Sequence, residues 1–149
     1  MRTPFGSPIL DAACRILVPF IVLFAVYVVI HGHDSPGGGF QGGTILAAAI
    51  ILIQMIRGQN IPWALDRHGA LLLACCGVGL FAGIGFLSLL FAGHYLDYGV
   101  LPLPLKAAKV RFMGTLGIEI GVALGVTGVF VLIFDALTTG ESKEDTHVE

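Results

Sequence analysis

Glu119 is the residue whose type and place most invite chemistry. It falls in the run Gly114 to Phe134, which has no other charge. An ionisable side chain at the centre of a membrane span costs at least about 2.5–3.5 kcal/mol, and such residues mark ion pathways or pair with a partner. A carboxyl group there can carry a proton or bind a hard cation through oxygen. Glu119 is also only about 8–9 Å from the start of its run at 1.5 Å per residue. At that depth, snorkelling to the headgroups or a hydrogen bond between subunits are simpler uses.

A second group, His31, His33, Asp34, His94 and Asp97, gathers in segments between apolar runs. Imidazoles and carboxylates bind metals. No two of these have the spacing of a metal signature, so solvation or hydrogen bonding is the expected state and no metal site is assigned. Gly37-Gly38-Gly39-Phe40-Gln41-Gly42 matches G-x-G-x-x-G to the letter. The dinucleotide fingerprint needs a strand before it and a βαβ unit around it. Here an apolar run of helix length comes first, so the glycines are assigned to close helix packing. No cofactor is expected.

The elements that must position these residues follow from composition. The chain has 149 residues, 56% hydrophobic and 12% charged, with a mean hydropathy of +0.90. A soluble domain carries about 25% charged residues, so a soluble enzyme is excluded and no catalytic chemistry is expected. Abundant apolar residues exclude disorder. A net charge of −2 with no basic stripe excludes nucleic-acid binding. Cys14, Cys75 and Cys76 are odd in number and lie in apolar runs, so they are assigned as small buried hydrophobes. No small-residue cleavage site follows the first apolar run, so a cleaved secretory signal is not expected.

A hydrocarbon core of about 30 Å takes about 20 helical residues. Spans are expected at about 11–30, 36–56, 69–91 and 114–134, forming one all-α membrane domain over 1–134. A short polar, acidic tail follows at 135–149. In the second span the plainly apolar part, Thr44 to Ile56, reaches only about 20 Å. The glycine run must therefore enter the membrane as helix, with Ser35 as N-cap and Pro36 in the first helical position. Arg15, near the start of the first span, has Asp11 four residues before it as a pairing partner. Two prolines in Leu101-Pro102-Leu103-Pro104-Leu105 disfavour helix in the second outer loop.

Four spans place both termini on one side. Arg2, Arg15, Arg57, Arg67 and Lys143 fall on that side, and Lys106, Lys109 and Arg111 on the other. The excess assigns the termini to the cytoplasm. In the fourth span Gly114, Gly117, Gly121, Gly125 and Gly128 form a smooth face suited to a neighbouring helix. Glu119 is about 160–200° around the helix from Gly117 and Gly121. Both faces then need protein cover, which a four-helix monomer rarely supplies, so a larger membrane complex is expected.

The segment Gly32, His33, Pro36, Gly37, Gly38, Gly39, Phe40 and Gly42 meets the pattern G-H-x-x-P-G-G-G-F-x-x-G of the MnhB family, the B subunits of Mrp-type multisubunit Na+/H+ antiporters. The run Gly117-Ile118-Glu119-Ile120-Gly121 resembles that family's final helix with its acidic residue. Length, four spans and a polar tail agree, so the resemblance covers nearly the whole chain. It implies a multi-pass subunit in the plasma (cell) membrane whose partners are the lipid bilayer and the other Mrp subunits, and whose complex exchanges Na+ and H+. Beside the resemblance, the residues themselves assign close packing to Gly37, Gly38, Gly39, Gly42, Gly43, Gly117, Gly121 and Gly125, and the place of Glu119 in an apolar span opposite a packing face makes it an ion-path candidate. The chain has no lysine–glutamate chain of its own for a complete proton route. A purely structural subunit, in this complex or in a related hydrogenase-type complex, is therefore the rival reading. A stand-alone channel would need a polar stripe, which the third span lacks.

Overall fold

A computed structural model of the chain describes residues 8–32, 38–57, 65–92, 94–97 and 107–144. Four helices fill these segments: α1 (Pro8–Ile30), α2 (Gly38–Arg57), α3 (Arg67–Ala92) and α4 (Ala107–Glu144). Each contains a stretch long and apolar enough to cross a membrane, and among the described residues there is no strand. The all-α, four-span architecture read from hydropathy is therefore the observed one.

The ends differ in instructive ways. Pro8 opens α1, a position where its missing N–H costs nothing. Asp11 and Arg15 form the expected pair at 3.1 Å, one turn apart on an exposed face. The described part of α2 begins at Gly38, and Ser35, Pro36 and Gly37, the expected cap and first turn, lie outside the described residues. The largest difference is in α4, which starts at Ala107 and runs to Glu144. Ala107, Ala108 and Lys109 are strong helix formers, as are Glu141, Lys143 and Glu144. The polar segment expected from residue 135 therefore begins as a continuation of the helix.

The helices pack as a row: α3 on α4, α4 on α2, and α2 on α1, with a lighter contact between α1 and α4. Among the described residues α3 touches neither α1 nor α2. Sequence order is thus broken, and the last helix sits in the middle. The buried residues are small, including Ala47, Ala49, Ala70, Ala74 and Ala123. Large apolar side chains point outward, with Ile9 81% exposed and Leu90 79% exposed. In water this would forfeit the hydrophobic effect. In lipid, helices associate through close backbone approach and interhelical hydrogen bonds, and large side chains face hydrocarbon.

Glycines make that approach possible at both seams of α4. On the α3 side, a Cβ on Gly77 would come within 2.6 Å of the Gly121 carbonyl oxygen, and one on Gly128 within 2.6 Å of the Ala70 carbonyl oxygen. On the α2 side, a Cβ on Gly43 would come within 2.6 Å of the Ala123 carbonyl oxygen. Real Cβ atoms do not approach oxygen so closely, so any other residue would push the helices apart. Thr127 adds a polar pin, its hydroxyl lying 3.0 Å from the Gly43 carbonyl of α2 and 2.7 Å from the Ala123 carbonyl of its own helix.

Candidate functional site: a carboxylate at the start of a membrane helix

The first N–H groups of any helix lack intrahelical acceptors. Inside a membrane, water cannot supply them, and each unsatisfied group costs several kcal/mol. The described part of α2 begins with Gly38 and Gly39, which bring no side-chain acceptor of their own. The acceptor comes from α4: the Gly39 N–H donates to Oε2 of Glu119.

The local sequence fits this arrangement. Gly38 has φ of +30°, in the region that favours glycine. Its missing side chain leaves the space in which the Glu119 carboxyl sits. A Cβ on Gly39 would come within 2.9 Å of both Oε2 and the carbonyl carbon of Glu119. Gly32, just after α1, forms a third wall, its Cβ position 3.2 Å from Cδ of Glu119. Glu119 itself is half-buried. The glycine run therefore does more than allow packing, because it opens a niche for a carboxyl group at a helix start.

A helix N-terminus presents N–H donors and a partial positive charge, a setting that suits an acceptor oxygen. The same positive end repels a cation brought to that carboxylate. The arrangement is suited to holding an anion and joining two helices.

The remaining sequence-derived candidates separate. Gly117 and Gly121 face α3, where their Cβ positions meet Ile84 and Phe81 respectively, while Glu119 faces α2. The opposite-face expectation thus describes the helix correctly. What is corrected is the premise that one chain rarely covers both faces, because α2 and α3 of the same chain flank the two sides; the expected larger complex does not depend on it. Gly42 faces α1, with its Cβ position 3.0 Å from the Ala25 carbonyl oxygen, and Gly43 faces α4. Gly125 is a partial correction. Gly77 approaches its backbone, but nothing lies within 4 Å of its own Cβ position.

His31 stacks on Tyr27 with ring centroids 4.2 Å apart, and its Nδ1 lies 3.1 Å from the Tyr27 carbonyl oxygen. His94 and Asp97 lie in the turn after α3, where the ring of Tyr95 covers Gly85. His33 and Asp34 lie outside the described residues. Among the described residues no group of three metal-ligating side chains comes together. Cys14 is buried as expected, whereas Cys75 and Cys76 are exposed on α3, so the reading of all three as buried is corrected. Adjacent helical residues cannot both face one neighbour, and α3 has α4 on one side only.

Two contributors escaped the sequence reading. Gly77 carries the α3 side of its seam, and the small residues Ala70, Ala74 and Gly77, at steps of four and three, are the signal that marks that face. Thr127 left a weaker signal, a hydroxyl one residue before Gly128 in an apolar run.

Comparison with known proteins points to one family. Residues 9–132 match the family model described as a domain related to the MnhB subunit of Na+/H+ antiporter. The chain is 29% identical over 137 residues to the B subunit of a Na(+)/H(+) antiporter from Bacillus subtilis strain 168, covering 91% of this chain and 94% of that protein. It is 27% identical over 141 residues to the putative antiporter subunit mnhB2 of Staphylococcus saprophyticus, covering 90% and 96% respectively. It is also 28% identical over 152 residues to an uncharacterised protein of Methanocaldococcus jannaschii, covering 92% of this chain and 58% of that one.

Proposed function

We propose a role for Glu119 on the premise that the chain belongs to the MnhB family and is a membrane subunit of a multisubunit Na+/H+ antiporter. In this reading Glu119 is a clamp. It closes the open start of α2 and fixes α2 against α4, so that the subunit presents a defined surface to its neighbours. The observation that carries the proposal is the bond from the Gly39 N–H to the Glu119 carboxylate. The antiporter names of the relatives support an Mrp-type host over a hydrogenase-type one. The host complex then lies in the plasma membrane with the termini of this chain in the cytoplasm, and the chain has no catalytic chemistry of its own.

A second reading gives Glu119 a place in the proton or sodium path. Its half-buried state supports this, since part of the residue remains reachable. The two readings separate in membrane vesicles containing the whole antiporter. Glu119→Gln retains a carbonyl acceptor for Gly39 but cannot titrate, whereas Glu119→Leu retains neither property. A clamp predicts an assembled complex with sodium-driven proton movement for Gln and loss of the complex for Leu. An assembled but inactive Gln variant would overturn the clamp as the sole role and assign Glu119 to the ion path.

A further inference from the structure

α2 and α3 flank α4 but leave one strip of it open between them. A groove of about 470 Å3 runs along this strip. Gly121 and Gly125 of α4 and Gly77 of α3 form part of its lining, beside Phe40, Phe81 and Val129. Every residue lining it is apolar or glycine. A second crevice, bordered by Asp66, Arg67 and His68, shares Val129 and Ile133 with the groove. The two adjoin at Val129 and Ile133, and together they make a furrow that is apolar along α4 and charged where α3 begins.

Length and charge together identify an occupant. From Gly121 to Ile133 the furrow follows α4 for about 18 Å at 1.5 Å per residue. One leaflet of a hydrocarbon core of about 30 Å is about 15 Å deep, so the apolar part matches a single acyl chain. A partner helix crossing the whole membrane would need about twice that length. At the charged end, no ion pair engages Arg67 or His68 among the described residues. The acid beside them is committed elsewhere, since Asp66 Oδ1 accepts the Gly69 N–H at 2.9 Å and caps α3. The Ala70 N–H donates to the Asp66 carbonyl, so among the described residues only the N–H groups of Arg67 and His68 at this helix start have no acceptor. Two basic side chains and a helix start suit a phosphate. This end of α3 lies on the side expected to be cytoplasmic, where anionic lipids collect.

We propose that this furrow binds one anionic phospholipid, its acyl chain lying against Gly77 and Gly125 and its phosphate held by Arg67 and His68. The lipid completes the wall of α4 that neither neighbouring helix covers.

The test uses the assembled antiporter, with Val129 replaced by a photoreactive residue, in vesicles of mixed phosphatidylglycerol and phosphatidylcholine. After irradiation the adduct is identified by mass spectrometry. The expected adduct is lipid, enriched in phosphatidylglycerol over its share of the vesicle. Arg67→Gln with His68→Gln lowers that enrichment at least roughly five-fold, the factor for about one basic residue near an anionic surface. Gly125→Leu, whose side chain would enter the open furrow, abolishes the lipid adduct while the complex is recovered in full. An adduct to another protein of the complex or to a second copy of this chain would overturn the proposal. Lipid labelling without headgroup preference, unchanged by the Arg67 and His68 variants, would overturn it as well. Should Gly125→Leu fail to assemble, the exposed Arg67 and His68 pair decides the matter.

Discussion

The two seams of α4 solve the same packing problem by different means. Toward α3 the contact is dry, formed by glycine and alanine backbones that touch at Gly77, Gly121 and Gly128. Toward α2 the backbones also approach closely, at Gly43, but two polar pins are added, Glu119 to the Gly39 N–H and Thr127 to the Gly43 carbonyl. The difference follows from where each helix begins. α3 caps its own start with Asp66, whereas at the described start of α2 the Gly39 N–H takes its acceptor from α4. Small residues let helices approach, and the pins fix which residue lies opposite which.

Substitutions that attack one seam at a time test this contrast. The largest effect is expected for Glu119→Leu, which leaves a helix-start N–H without an acceptor at a cost of several kcal/mol in hydrocarbon. Recovery of the intact complex by size should be lost. Next comes Gly77→Leu, which drives a side chain into the backbone of Gly121 and should cost about 1–3 kcal/mol. It should loosen α3 while leaving the α2 seam intact, as read by protease access to each loop. Thr127→Val removes one interhelical hydrogen bond and should cost about 0.6 kcal/mol, at most about 1.7, measurable as a small fall in the thermal stability of the complex. Gly125→Leu should leave assembly unchanged, because its Cβ position is open. An equal loss at Gly125 and Gly77 would show that glycine count, rather than backbone contact, governs the seam.

Much of this was legible in the sequence. Hydropathy alone located four spans, because each carries a long apolar run that soluble helices lack. The helical phase placed Glu119 away from Gly117 and Gly121, and in the structure Glu119 lies against α2 while the two glycines lie against α3. What the sequence withheld was order in space. Nothing in the hydropathy of α4 says that it lies between α2 and α3, so the sequence does not show that this chain itself flanks both faces. The capping relation was hidden for a related reason. Gly39 and Glu119 lie 80 positions apart, and only the packing of α2 on α4 joins them. The length of α4 was underestimated because span lengths follow the hydrocarbon thickness, while a helix continues into water wherever its residues favour it, as Glu141, Lys143 and Glu144 do.

The central claim is that the Glu119 carboxylate is the acceptor that closes α2. Amide hydrogen exchange at Gly39 in the assembled antiporter tests it most directly, because an N–H in the first turn of a helix has no intrahelical acceptor to protect it. The account predicts slow exchange in the wild type, nearly as slow in Glu119→Gln, and at least roughly tenfold faster exchange, the equivalent of about 1.4 kcal/mol, in whatever Glu119→Leu complex is recovered. Gly39 exchange that is equally slow in any Glu119→Leu complex that can be recovered would contradict it.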